Sequence, residues 1–268
     1  MSKKNGMKNP YFFLFILWVL CESLNAQEKE NIFPAIITDR PDQTESPAVV
    51  PKNFLQIETG FLYSESKENG ITEKEWVYNS SLFRYGLLEN LELRLALEIL
   101  SQERLWDPGN KTSFSGTGPL NIGFKIGVTE EKGILPKIGF LGGVFLPFTA
   151  SDEFKPENTG GDFRLAFSHT LSERLDFSYN LGISWDGEAP HAIYIYSAAL
   201  GYALSEKISA FVEIFGDLPE GNEAEHFFDT GITYLISDQL QIDLAGGTGL
   251  NTAKYFFIGA GISIRLPE

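Results

Sequence analysis

Residues Arg174–Asp186 read RLDFSYNLGISWD. Leu175, Phe177, Tyr179, Leu181, Ile183 and Trp185 share one parity. Arg174, Asp176, Ser178, Asn180, Gly182, Ser184 and Asp186 share the other. Successive side chains of a strand point to opposite faces, so this alternation predicts a strand with one apolar and one polar face. Leu91–Ile99 repeats it, with Leu91, Leu93, Leu95, Leu97 and Ile99 set against Glu92, Arg94, Ala96 and Glu98. Phe163, Leu165 and Phe167 alternate with Asp162, Arg164 and Ser168 in the same way.

Twelve such segments cover the chain from residue 53: 53–63, 73–86, 90–102, 117–128, 136–147, 160–171, 174–186, 191–204, 207–217, 226–236, 239–249 and 254–266. Most exceed the roughly 5 or 6 residues usual in soluble strands. They suit the roughly 9–11 residues a tilted strand needs to cross a bilayer. One set of connections is short: Leu88-Glu89-Asn90-Leu91, Ser172-Glu173-Arg174-Leu175, Ser205-Glu206-Lys207-Ile208 and Ser237-Asp238-Gln239-Leu240. The last three recur 33 and then 32 residues apart, the period of one hairpin. The other set is longer and polar: Gln102–Gly116, Thr149–Thr159, Gly187–Pro190 and Leu218–Glu225. Short turns at one end and long loops at the other predict an all-β fold: a transmembrane antiparallel β-barrel of about twelve strands in an up-and-down meander, with periplasmic turns and extracellular loops. An even count returns both termini to the periplasmic side. A soluble sandwich also alternates, but it keeps open edges and shorter strands. Tyr179, Trp185, Tyr194, Tyr196, Tyr202 and Tyr234 are expected in aromatic girdles.

The N-terminus has the layout of a secretory signal: Lys3, Lys4 and Lys8, then the apolar run Tyr11–Cys21, then Ala26 as the cleavage point. The expected organisation is a signal peptide at 1–26, a periplasmic segment at 27–52 and an outer-membrane barrel at 53–268. Cys21 follows Leu20, not the small residue a lipidation signal prefers, and it is the chain's single cysteine. The net charge of −15 argues against nucleic acid as a partner. Expected partners are outer-membrane lipid, the barrel-insertion machinery and a small solute.

The polar parity supplies the expected lumen lining. Its bases are Arg84, Arg94, Lys125, Lys137, Arg164 and Arg265; its acids are Glu58, Glu92, Glu98, Asp162, Asp176, Glu213, Asp229 and Asp243. They read either as a salt-bridged network filling a narrow barrel or as the walls of a selective path. Gly123, Gly127, Gly139, Gly143, Gly201, Gly247 and Gly261 share this parity, leaving room or easing curvature. Between signal and barrel lies ITDRPDQTE, residues 37–45. Pro41, Pro47 and Pro51 keep this stretch extended and out of the sheet. It is either a solvated tether or a plug in which Asp39, Arg40, Asp42 and Glu45 pair with lumen charges such as Arg84, Arg94 and Arg265. Catalysis finds little support. His169, His191 and His226 sit in no nucleophile–base pattern, no G-x-S-x-G occurs, and no metal-ligand spacing or cofactor motif is present. A lipase- or protease-like barrel is therefore the third reading, behind a channel and behind a closed structural or interaction barrel whose loops bind a partner.

Asp39-Arg40-Pro41-Asp42-Gln43-Thr44-Glu45-Ser46-Pro47, followed by Val50–Phe61, resembles the start of a family of outer-membrane transporters grouped with the MetA-pathway of phenol degradation proteins. Arg84-Tyr85-Gly86-Leu87, Glu92-Leu93-Arg94, Lys125, Phe211-Val212-Glu213 and Leu240-Gln241-Ile242-Asp243 extend the likeness over the mature chain nearly end to end. The resemblance implies an outer-membrane barrel acting as a channel for small compounds, hydrophobic or aromatic ones among them. The sequence departs from the usual barrel pattern at Ile264-Arg265-Leu266-Pro267-Glu268, which lacks the aromatic terminus recognised by the insertion machinery.

Overall fold

Thirteen β-segments form one sheet that closes on itself. They are β1 (Leu55–Glu68), β2 (Ile71–Leu88), β3 (Leu91–Asp107), β4 (Asn110–Thr117), β5 (Leu120–Thr129), β6 (Lys137–Leu146), β7 (Gly160–Thr170), β8 (Leu175–Trp185), β9 (Ile193–Ala203), β10 (Ile208–Pro219), β11 (Glu225–Ser237), β12 (Leu240–Gly249) and β13 (Phe256–Leu266). The structure is a computed structural model describing residues 34–107, 110–188, 190–251 and 254–267. The signal-peptide region 1–26 and residues 27–33 lie outside the described residues. All pairings are antiparallel between chain neighbours, and β1 pairs with β13 from Leu55↔Leu266 to Glu65↔Phe256. β4 and β5 both pair with β3, on either side of a break at Gly118-Pro119, and so make up one crossing strand. The result is the expected twelve-stranded meander. Closure leaves no free edge, as a bilayer requires.

Burial is inverted relative to a soluble protein. The largest fully buried side chains include Arg84, Lys125, Gln56, Glu58, Glu92 and Glu213. Outside, Leu181 is 55 % exposed, Ile258 49 % and Leu244 48 %. A surface so apolar over a charged interior is stable only against lipid. Aromatic rings mark its two borders. Tyr202 and Tyr234 lie beside the short turns, opposite Leu175 and Ile208. Toward the other end Tyr63 packs on Trp76 and Phe256, with ring centroids 5.4 and 5.9 Å apart. Tyr179 sits mid-wall instead, stacked on Phe167 at 4.7 Å.

One expectation fails. Most of the stretch expected as a loop at 102–116 is strand: β3 runs on to Asp107 and β4 returns from Asn110. The β1–β2 hairpin likewise extends to a tight turn at Asn69-Gly70, where both residues have positive φ (50° and 81°). Beyond the membrane both faces of a strand meet water, so the apolar parity disappears while backbone pairing continues. Charged cross-strand contacts replace it, Arg104–Glu73 at 2.6 Å and Lys111–Glu103 at 2.5 Å. The termini of the barrel and the short turns lie at one end, here the near end; the long hairpins rise at the far end.

The lipid face gives a direct test. Leu244→Arg, at the middle of β12 opposite Ile232 and Ala260, should cost about 2–4 kcal/mol in urea unfolding from liposomes. An Arg at inward-facing Ala245 should cost far less.

Candidate functional site in the barrel lumen

Residues 35–52 run inside the barrel and are stitched to its wall. Asp39 is the central anchor. Its carboxylate lies 3.1 Å from Arg84, 2.6 Å from Arg94 and 2.7 Å from Lys125. Its backbone N–H donates to Glu58 at 2.9 Å, and it accepts from the Ser46 N–H at 3.1 Å. The wall bases are also paired with the wall's own acids: Arg84 contacts Glu58 and Glu92 at 2.8 Å each. Glu45 takes Arg94 in a two-pronged contact of 2.9 and 3.0 Å and lies 3.6 Å from Lys125. Arg40 pairs with Asp243 at 3.2 Å.

Wall side chains also satisfy the segment's backbone, because an extended chain in a lumen has no ladder of its own. Glu213 accepts from the Gln43 N–H at 2.8 Å and from the Thr44 hydroxyl, which also bonds Ser197 at 2.7 Å. Asn180 brackets Glu45, accepting from its N–H at 2.7 Å and donating to its carbonyl at 3.0 Å. Glu92 accepts from the Val50 N–H at 2.7 Å, and Arg84 donates to the Ala48 carbonyl at 3.0 Å. Pro41, joined to Arg40 by a cis bond, turns the chain between the two anchors.

Several inward glycines form the seat of this segment. A Cβ on Gly86 would stand 2.1 Å from the Pro51 carbonyl oxygen, and one on Gly139 would stand 2.8 Å from Pro47. Cβ atoms on Gly60 and Gly261 would both fall 2.4 Å from the Arg40 guanidinium. At these positions the absent side chain is space for the segment. Elsewhere it is space for the wall's own side chains: Asp176 beside Gly201, Asn121 beside Gly143, Asp229 beside Gly247.

The remaining expected lumen residues sort by height. Asp162 and Arg164, 3.7 Å apart, line the far side together with Glu98, whose carboxylate accepts from the Ser80 hydroxyl at 3.3 Å. Asp176 and Lys137 line the near side. Glu213 and Asp229 stand opposite each other on neighbouring strands. Arg265, also buried, donates to Gln239 at 2.7 Å and lies over the Phe54 ring, at the near mouth beneath the segment. Asp42 has no base beside it; Glu213 and Asp229 face it instead. Gln56, Asn180, Ser197 and Gln241 escaped the sequence reading, although each lies on the polar parity of its strand. As uncharged residues they were indistinguishable from any other polar lining.

His169 stacks at 6.1 Å on Tyr179, His226 meets the Tyr196 hydroxyl at 2.7 Å on the outer surface, and His191 lies 4.0 Å from Glu220. Among the described residues no cluster of His, Cys, Asp or Glu is placed to hold a metal ion.

Two cavities flank the segment. One of about 670 Å³ opens to the far side; another of about 370 Å³ lies on the near side. Fold and lumen thus define a transmembrane β-barrel of the outer-membrane type, its interior occupied by its own N-terminal chain. Residues 38–266 match the model of the family described as "Putative MetA-pathway of phenol degradation", and the chain belongs to that family. No curated protein sequence matches the chain. Among solved structures, an outer membrane channel from Pseudomonas putida F1 is similar at a TM-score of 0.62, with 15 % identity over 81 % of this chain and 97 % of that one. The translocator domain of the autotransporter NalP from Neisseria meningitidis is similar at 0.52, with 10 % identity over 96 % of each chain. The NanC porin is similar at 0.50, with 8 % identity over 79 % of this chain and 100 % of that one. At these identities the likeness establishes the fold.

Burial opposes the charge on Asp39, but the Arg84, Lys125 and Arg94 charges outweigh it and hold the carboxyl well below its ordinary value. Burial, with Glu213 and Asp229 nearby, pushes Asp42 well above its own. A depressed pKa stabilises above the ordinary carboxylate range and loses that contribution as pH falls through the folded value. A raised pKa does the reverse, its contribution being lost as pH rises through the folded value. Protease protection of residues 35–52 should therefore increase from alkaline to mildly acid buffer and collapse only in strong acid. Asp42→Asn should reduce the first change; burial raises the strap's Glu45 carboxyl as well, so part of it should remain. Asp39→Asn, which removes the shared partner of three cations, should cost about 3 kcal/mol or more in urea unfolding.

Proposed function

We propose that this protein is an outer-membrane channel passing small solutes, with residues 35–52 forming its constriction. The observation that carries this reading is the nature of the obstruction. The wall is a closed polar tube, and what stands between its two cavities is a strap of chain rather than wall side chains. A barrel built only as a scaffold fills its lumen from the wall, as a small barrel can. Here glycines on the wall keep a place for the strap, and cavities remain on both sides. The far cavity is amphipathic, with Leu62, Val77, Leu82, Leu141 and Phe257 beside Asn121, Asp162 and Arg164. That surface suits solutes with an apolar or aromatic body and a polar edge. The outer membrane channel from Pseudomonas putida F1 supports the same reading.

In this arrangement residues 1–26 serve as the export signal, and the near end, carrying both ends of the barrel, faces the periplasm. The apolar outer face meets lipid, and the insertion machinery closes the barrel there. The role of the lumen charges is to hold the strap and to line the passage; no side chain is assigned to catalysis.

Purified protein in planar bilayers should give discrete conductance steps. Gly86→Leu fills the strap's seat without altering any charge and should raise the unitary conductance severalfold. Both proteins silent at equal insertion would instead favour the closed interaction barrel. Phospholipid hydrolysis by the purified protein would favour the lipase-like reading.

A further inference from the structure

The lumen is divided electrostatically, and the strap neutralises only one side. Arg84, Arg94 and Lys125, on β2, β3 and β5, are each within ion-pair distance of a carboxylate. Arg40 and Arg164 are each matched as well, by Asp243 and Asp162. The acids are not all matched. Among the described residues no cation lies within ion-pair distance of Glu98, Asp42, Glu213, Asp229 or Asp176. Asp229 is fully buried, with Glu213 directly opposite it on β10 as a charged neighbour.

These unmatched carboxylates follow the passage. Glu98 lines the far cavity and Asp176 the near one, while Asp42 lines both and so stands between them. Glu213 and Asp229 stand behind Asp42 on the wall of β10 and β11. Asp42 is also the one acid of the strap directed at an acidic wall, whereas Asp39 and Glu45 face bases and the base Arg40 faces Asp243.

We propose that the passage runs between the strap and the acidic wall, over Asp42, and selects small cations and solutes carrying a protonated amine against anions. This rests on the channel reading above. A low-dielectric passage with unmatched carboxylates concentrates counter-ions, and an anion crossing it meets no free base at the narrowest point. Asp39, Glu213 and Asp229 are the charged groups facing Asp42. Burial and these neighbours favour its protonated form, so protons compete with the permeating cation and acid pH lowers the selectivity.

The test is the reversal potential of the full-length mature protein in planar bilayers under a potassium chloride gradient. In alkaline buffer, where Asp42 is ionised, potassium should be favoured over chloride by about ten-fold, and less so as pH falls. Asp42→Lys should reverse or abolish the preference, and Glu98→Gln should reduce it with the strap undisturbed. Heat-modifiable mobility in gels reports folding of each variant; should Asp42→Lys fail to fold, Glu98→Gln alone decides. A chloride-selective current, or a potassium preference unchanged by the folded variants, overturns the inference and leaves the channel intact. Silence of wild type and Gly86→Leu alike overturns the channel reading, and this inference with it.

Discussion

Three cations crowd one side of the lumen, and two carboxylates from outside the wall, Asp39 and Glu45, sit among them. Arg84, Arg94 and Lys125 carry more charge than Glu58 and Glu92 offset, and Asp39 completes the cluster. Buried charge is tolerable only when paired and hydrogen-bonded. The wall therefore binds the strap for the same reason that the strap needs the wall. Position follows from this contact. With Asp39 fixed, Glu45 reaches Arg94, Arg40 reaches Asp243, and Pro47 settles over Gly139.

The barrel itself rests on a different balance. Its exterior gains from lipid, so the interior is free to be polar and does not have to collapse. This is what allows a lumen with cavities on both sides of a strap in a protein of 268 residues. A soluble fold of this size would fill that volume with Leu and Phe. Here the interior is occupied by hydrogen-bonded charge, and charge requires exact partners where apolar side chains require only volume.

Much of this was legible before the structure. The alternation in Arg174–Asp186 and its counterparts fixed the barrel, its strand number and the inward parity of every named lumen charge. It could not mark the extensions of β1 to β4, since strands with water on both faces lose the apolar parity that identifies them. The strap's composition showed that it did not belong to the sheet, but its partners were another matter. Arg265 looked equivalent to Arg84 on parity alone, and only height along the barrel separates them: one lies at the near mouth against Gln239, the other at the anchor. The glycine seats were visible as inward glycines, yet their purpose depends on an object in the lumen that no wall strand announces.

The strap precedes β1 in the chain, but its contacts are spread around the ring, from Glu58 on β1 to Asn180 on β8 and Gln241 and Asp243 on β12. It can be seated fully only once the last hairpin is in place. Its docking is thus an event of assembly as much as a feature of the finished barrel. A barrel closed in the wrong register would have no seat to offer, so the strap's full set of contacts exists only in a ring whose strands are paired as described.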